Sequence, residues 1–167
     1  MTKIDNIIFV CTDNTCRSIM AEAVMKSVCG ERKINVCSRG LVVLFPEPLN
    51  PKAVAIMTGN QMSPAKGSSE LLTKEDITPE TLVLTMTAKE KAEVKEQFPA
   101  APYVMTLGEF AGKPGDIEEP HGGTLAEYGA CYEYIDLLVK LAAESFFHAQ
   151  AYREADVITV KDGEIRL

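Results

Sequence analysis

The sequence has little of what membrane-spanning, secreted and nucleic-acid-binding proteins need. No apolar run approaches the ~20 residues of a membrane-spanning helix, and the first residues lack the apolar core of a signal peptide. The chain also lacks an excess of basic residues, because its net charge is −7. Phosphate backbones attract basic surfaces, so these absences favour a cytoplasmic protein that binds neither membranes nor nucleic acid.

Metal ligands are also scarce. The two histidines, His121 and His148, lie far apart, and no two cysteines are separated by just two residues. Because neither pattern is typical of a metal site, we expect no metal and no cofactor. The five cysteines are an odd number in a chain of cytoplasmic type, which argues against a disulfide framework and favours a catalytic thiol.

The sequence does contain a regular alternation of strand and helix patterns. Strands are expected at 6–10, 34–38, 82–86 and 103–107. Helices are expected from about 20 to 29, at 51–59, at 69–72, after Thr87 and from 124 onward. This order predicts an α/β fold, a three-layer α/β/α sandwich with a four-stranded parallel sheet. In such a sheet the ligand crevice lies at the carboxyl ends of the strands.

The C-terminal segment has a different pattern. Asp156–Val160 and Glu164–Leu167 flank an Asp-Gly turn, which is typical of a small extra β-hairpin. An isolated hairpin is marginally stable, so we expect this one to pair with a sheet edge or with another chain. The sequence thus predicts a main domain at 1–147 and a C-terminal extension at 148–167.

The most informative stretch directly follows the first predicted strand. Cys11 comes after the apolar run 7–10, five residues follow it, and then come Arg17, Ser18 and a helix-compatible segment. A helix N-terminus offers unpaired N–H groups and roughly half a positive charge. An arginine can hold two phosphoryl oxygens at once. Such a loop can bind a phosphate-like oxyanion and place the Cys11 sulfur to attack it.

We expect the residues of this loop to bind the anion, to fix the loop conformation and to activate the thiol. The anion site is lined by backbone N–H groups of Thr12, Asp13, Asn14, Thr15, Cys16 and Arg17. Asn14 suits the left-handed backbone position that a tight loop needs, and the Ser18 hydroxyl is placed to donate to the sulfur. The helix N-terminus and Arg17 are expected to lower the pKa of Cys11 enough to ionise it at neutral pH.

Residues 9–22 read Phe9-Val10-Cys11-Thr12-Asp13-Asn14-Thr15-Cys16-Arg17-Ser18-Ile19-Met20-Ala21-Glu22. This stretch resembles the signature loop of low-molecular-weight protein tyrosine phosphatases, whose usual form is V-C-x-G-N-x-C-R-S-P-M-A-E. Further similarity lies at 38–40, at 82–87 and at 119–123, where Glu119-Pro120-His121-Gly122-Gly123 stands in place of D-P-[YF]-G-G. The similarity spans residues 4–146 and is closest to the bacterial branch that includes protein-arginine phosphatases. It implies the fold of phosphotyrosine protein phosphatase I.

The resemblance implies a cysteine-dependent phosphatase that hydrolyses phosphoprotein monoesters through a phosphocysteine intermediate. Cys11 is then the nucleophile, Arg17 clamps the phosphoryl group, and Ser18 and Asn14 shape the loop. Ile19 replaces the usual proline at the helix start, a change that looks tolerable.

Two further departures from the family pattern carry charge. Glu119 stands where the family has its general acid aspartate and is expected to take that role, with Asp116 and Glu118 as alternatives. Asp13 replaces a glycine. It is expected to point away from the anion, which its carboxylate would repel.

The sequence leaves the substrate open. We expect phosphotyrosine proteins, with phosphoarginine proteins as the alternative. Thr15 stands where, by the resemblance, threonine is associated with phosphoarginine, and Glu119 could hold a guanidinium group. Phe45, in the segment 41–48, and His121 are expected to form substrate walls, although residues 42–45 also fit a buried strand.

Two functions of other classes remain alternatives. One is a pseudophosphatase that binds phosphate or phosphopeptides, and the other is a thiol redox sensor. The resemblance implies a reversible disulfide between Cys11 and its redox partner Cys16. Ordinary buried positions are expected for Cys29, Cys37 and Cys131. The expected partner is a phosphorylated protein, and the expected state is a monomer or a weak homodimer.

Overall fold

The computed structural model describes residues 3–161, with side chains up to residue 148. Within these residues the strands are β1 (Asn6–Cys11), β2 (Asn35–Gly40), β3 (Thr81–Thr85) and β4 (Tyr103–Thr106). The helices are α1 (Arg17–Cys29), α2 (Pro51–Gly59), α3 (Ala88–Gln97), α4 (Leu107–Phe110) and α5 (Leu125–Lys161), with a 3₁₀ turn at Lys74–Asp76. The strands form one parallel sheet in the order β2-β1-β3-β4. None of the described helices is both long and apolar enough to cross a membrane.

Helices cover both faces of the sheet, because side chains alternate along each buried strand. In β1, Ile7 and Phe9 face the larger core, which includes side chains of α1, α2 and α5. Ile8 and Val10 face the smaller core on the other side, with Val94 of α3. This arrangement confirms the predicted three-layer α/β/α sandwich.

The sheet order places the end of β1 at the centre of the carboxyl edge. β1 pairs with β2 on one side, where Cys11 lies opposite Gly40, and with β3 on the other. On the far side of β3, the start of α3 is fixed by the predicted capping box of Thr87 and Glu90. The loop after β1 therefore lies between the β2 and β3 connections.

The short helix predicted at 69–72 is wrong. The Ser69 N–H donates to the Glu47 carbonyl over 2.9 Å, and the Leu72 N–H donates to the Gly40 carbonyl over 2.8 Å. These extended bridges satisfy the backbone donors that a helix would have used. The segment instead braces the loop that follows β2.

The predicted C-terminal hairpin also needs correction. Its first strand, Asp156–Val160, lies inside helix α5, which continues to Lys161. No glycine or proline interrupts the chain between Ala130 and Asp162, so the helix meets no breaker there. The turn glycine and Glu164–Leu167 lie outside the described residues.

Candidate active site

The loop between Cys11 and Arg17 is held against the segment that follows β2. The Leu41 N–H donates to the Cys11 carbonyl over 3.1 Å, and the Val42 N–H donates to the Thr12 carbonyl over 2.8 Å. At Gly40 a Cβ atom would lie 3.0 Å from Asn14 Cβ and 2.8 Å from a methyl group of Val43. A side chain at this position would therefore push the loop away from the sheet.

Asn14 fixes the shape of the loop. Its φ of 58° is the left-handed conformation predicted from the sequence. Its side-chain amide donates to Ser18 Oγ over 2.7 Å and to Ser38 Oγ over 3.1 Å, and its Oδ1 accepts from the Glu70 N–H over 3.0 Å. All three bonds are internal to the protein, so Asn14 serves the loop rather than a ligand.

Asp13 does not point away from the loop as expected. Its Oδ1 accepts the Thr15 N–H over 3.1 Å, which is the local turn that aspartate commonly forms two residues before its partner. One of the N–H groups predicted to line the anion site is therefore already bonded. Asp13 also lines the cleft above the loop and adds negative charge there.

Cys11 lies at the bottom of this loop and is fully buried. Its Sγ is 2.9 Å from Ser18 Oγ and accepts the Asn14 N–H over 3.3 Å. Burial raises the pKa of the Cys11 thiol to about 11, while Arg17 and the Ser18 hydrogen bond lower it. Desolvation of the sulfur thus opposes the ionisation that the sequence predicts at neutral pH, and the carboxylate of Glu90 adds to that opposition.

Arg17 has both charged and neutral partners in the cleft. Its Nη1 donates to the Ile117 carbonyl over 2.8 Å, and its Nη2 donates to Glu90 Oε2 over 3.0 Å. Nη2 also lies 3.7 Å from Glu119 Oε2. The Arg17 Nε is buried and has no hydrogen-bond partner, unlike the other buried side-chain nitrogens and oxygens of the described residues. A buried donor without a partner costs about 1–3 kcal/mol, so this atom favours an incoming oxygen.

Glu90 is the functional residue that the sequence did not reveal. Its Oε1 accepts the N–H groups of Met86 and Thr87, as the capping box predicts. Its Oε2 accepts from Thr12 Oγ1 over 2.9 Å and from Arg17. The sequence signal was present, since one oxygen of a capping-box glutamate stays free to bond elsewhere. Nothing in the sequence indicated that it would meet Arg17.

Glu119 is the acid closest to Arg17 among the three candidates. Its side chain is 5% exposed. Burial raises its pKa, as does the charge of Asp13, while Arg17 and His121 lower it. Asp116 instead caps α3 by accepting the Ala88 N–H over 2.9 Å. The geometry therefore favours Glu119 over Asp116 as a proton donor in the cleft.

The cleft above the loop has a volume of about 550 Å³. Its lining is strongly polar and consists of Thr12, Asp13, Arg17, Val42, Thr87, Lys89, Glu90, Glu93, Glu118, Glu119 and His121. Val42 lines the cleft where Phe45 was expected to, and Phe45 is 64% exposed outside that lining. Leu44 is 90% exposed, so residues 42–45 do not form a buried strand.

All five cysteines are free thiols in this structure. Cys16 is buried next to the loop, and burial raises its pKa, with the nearby Cys131 adding to the effect. Burial also raises the pKa of Cys131 to about 11. A Cys11–Cys16 disulfide stays a prediction.

Comparison with known proteins agrees with this geometry. A model of the family described as low molecular weight phosphotyrosine protein phosphatase matches residues 6–150. A protein-arginine-phosphatase of Geobacillus stearothermophilus is 36% identical over 142 residues, covering 83% of this chain and 93% of that protein. The low molecular weight protein-tyrosine-phosphatase PtpB of Staphylococcus haemolyticus is 30% identical over 133 residues, covering 80% of this chain and 94% of that protein.

A solved structure gives the same result. The YwlE arginine phosphatase from Geobacillus stearothermophilus superposes with a TM-score of 0.81 at 33% identity, covering 88% of this chain and 96% of that one. The matches include both the sheet that positions the loop and the loop itself. The chain therefore belongs to the low molecular weight phosphotyrosine protein phosphatase family.

Proposed function

We propose that this protein is a cysteine-dependent phosphatase that removes phosphoryl groups from phosphotyrosine in proteins. The observation that supports it most is the unpaired, buried Nε of Arg17, a residue that lines the cleft and ends the loop that begins at Cys11. A phosphoryl oxygen bonded to Nε would satisfy that donor. The N-terminus of α1, which begins at Arg17, adds its own positive field.

The reaction would proceed in two steps. The Cys11 thiolate attacks phosphorus, forming an S–P bond as the P–O bond to the leaving group breaks, and Glu119 donates a proton to that oxygen. The Glu119 carboxylate then takes a proton from water as the water attacks phosphorus. The S–P bond breaks, which releases phosphate and restores Cys11. The Ser18 hydroxyl and the Asn14 N–H are placed to stabilise the thiolate in both steps.

Phosphoarginine is the second candidate, and two observations favour it. Thr15 is buried beside the nucleophile loop, where a small side chain with a hydroxyl leaves room for a polar group. The cleft also carries the carboxylates of Glu93, Glu118 and Glu119, which suit a guanidinium group. Two of the similar proteins are named protein-arginine-phosphatases.

The two substrates can be separated with one pair of peptides. We expect wild-type protein to hydrolyse a phosphotyrosine peptide and a phosphoarginine peptide of otherwise identical sequence at measurably different kcat/KM. Thr15→Ile is expected to shift the ratio toward phosphotyrosine by about tenfold, because added methylenes in a close pocket change discrimination by that order. Thr15→Val is the matched control, since it removes the hydroxyl at nearly constant volume.

An unchanged ratio in Thr15→Ile would show that Thr15 does not select the substrate. A change of equal size in Thr15→Val would assign the selection to the hydroxyl rather than to size. If the wild-type protein hydrolyses neither peptide, the proposed function itself is wrong.

Glu119→Gln is expected to slow turnover according to the leaving group. Phenyl phosphate needs a proton donor, so its kcat should fall by about 10²-fold. p-Nitrophenyl phosphate has a better leaving group and should be affected less. Steady-state kinetics with both substrates measure the ratio. Glu118→Gln removes a carboxylate from the same cleft and should leave the ratio unchanged. If the two variants behave alike, the role belongs to another acid.

We further propose the wider setting of the enzyme. The net charge of −7 supports a protein that acts on phosphoproteins rather than on nucleic acid. We place it in the cytoplasm, as a monomer or weak homodimer. The catalytic unit would comprise residues 1–147, with 148–167 as an extension. Cys16 would act as the redox partner of Cys11.

A further inference from the structure

Glu119 contacts a second titratable side chain besides Arg17. Its Oε2 lies 3.0 Å from His121 Nε2 and 3.7 Å from Arg17 Nη2, so one carboxylate oxygen contacts both side chains. The Glu119 side chain is 5% exposed, whereas that of His121 is 76% exposed. His121 therefore connects a buried carboxylate to solvent.

This arrangement creates a difficulty for a general acid. A carboxyl group donates a proton only when it arrives protonated, yet pairing with Arg17 favours its ionised form. When a phosphoryl group binds Arg17, negative charge arrives beside Glu119 and favours the protonated form instead. The shortest route for that proton is from a group that Glu119 already contacts. Imidazole is the side chain that exchanges protons most readily near neutral pH.

We propose that His121 stores the proton of Glu119 and returns it when a phosphoryl group binds Arg17. In the free enzyme the pair is a Glu119 carboxylate and a His121 imidazolium. In the complex, the proton on His121 Nε2 moves to Glu119 Oε2, leaving a neutral imidazole and a carboxylic acid. The proton count of the pair does not change. This role rests on the proposed phosphatase function and makes His121 a positioning residue that acts through Glu119.

The direction of transfer follows from burial. A bound phosphoryl dianion would raise the proton affinity of both Glu119 and His121. Its field acts more strongly on the buried carboxylate than on the imidazole, which solvent screens. The other titratable groups that act on Glu119 come from the loop, α1, α3 and α5: Asp13, Cys16, Arg17, Glu90, Tyr128 and Cys131. Around His121 the cleft adds Lys89, Glu93 and Glu118. The acids in these sets also favour a protonated Glu119.

Nuclear magnetic resonance of the two histidines tests the transfer without measuring activity. The wild-type protein is titrated with inorganic phosphate at the highest pH at which the His121 ring is still protonated, so that a neutral ring formed by the transfer does not take up a second proton from solvent. We expect the His121 ring resonances to move to those of neutral imidazole as phosphate saturates the site. His148, exposed on α5, is the internal control and should not move. In Glu119→Gln, which cannot accept the proton, the His121 resonances should stay at their protonated positions.

Bound phosphate that leaves His121 protonated in the wild-type protein would overturn the proposal. The proposed phosphatase function would survive that result. Failure of phosphate to bind at all would overturn the proposed function together with this inference.

Kinetics give an independent test. His121→Gln keeps a hydrogen-bond donor beside Glu119 but cannot store a proton. Its kcat for phenyl phosphate should fall about fivefold, because part of the contribution of acid catalysis is lost. Added imidazole should restore this kcat. p-Nitrophenyl phosphate turnover and KM should change little, and His148→Gln should behave as wild type. A rise in KM without a change in kcat would instead assign His121 to a substrate wall and contradict the proposal.

Discussion

Replacing Cys11 by serine is expected to abolish phosphatase activity while leaving the fold and the anion site intact. A serine hydroxyl fits the space of the buried thiol and can accept the same Asn14 N–H and contact the same Ser18 hydroxyl. It is a far weaker nucleophile toward phosphorus, so kcat with p-nitrophenyl phosphate should fall by about 10⁴-fold or more. Direct binding of inorganic phosphate, measured by calorimetry, and thermal unfolding would show that the site and the fold remain.

Cys37→Ser is the matched control for that result. Cys37 lies on β2, half-buried and away from the loop, so the same substitution there should leave kcat unchanged. Hydrolysis that persists in Cys11→Ser would mean that another group attacks phosphorus. Loss of activity in both variants would point to general destabilisation.

Replacing Arg17 by lysine is expected to have the second largest effect. The guanidinium group donates to the Ile117 carbonyl and to Glu90, and its buried Nε has no partner. Lysine keeps the charge but cannot reproduce this planar fork. We expect kcat/KM with p-nitrophenyl phosphate to fall by about 10³-fold, because removal of a donor that is positioned for a developing oxyanion commonly has an effect of this size.

The chain offers a matched arginine for comparison. Arg39 is also largely buried and also forms a fork, with both oxygens of Asp76, but it lies away from Cys11. Arg39→Lys should cost some stability and leave kcat/KM unchanged. An Arg17→Lys variant with wild-type kcat and wild-type inhibition by phosphate would contradict the role given to Arg17.

The sequence was sufficient to predict the fold and the loop because both depend on short-range patterns. The apolar runs specify the strands, and the left-handed position of Asn14 follows from residue type. The capping box at Thr87 was equally local. Each of these features depends on residues that lie only a few positions apart, so the sequence alone is enough to predict it.

Contacts between distant segments were harder to predict. Glu90 contacts Arg17 because α3 follows β3, which is a neighbour of β1 in the sheet. No local sequence pattern predicts this contact. The raised pKa of Cys11 has the same origin, since burial arises from the whole fold. At Asp13 a local turn with the Thr15 N–H decides the position of the side chain.

Detection of a covalent phosphoenzyme on Cys11 tests the central claim most directly. Wild-type protein would be mixed with a phosphotyrosine peptide, quenched within a turnover and analysed by mass spectrometry of its peptides. We predict a phosphoryl group on the sulfur of Cys11, longer-lived in Glu119→Gln, where water lacks its base. Turnover of the peptide with no phosphoryl group trapped on Cys11 at any quench time, or with one trapped on another residue, would contradict the account.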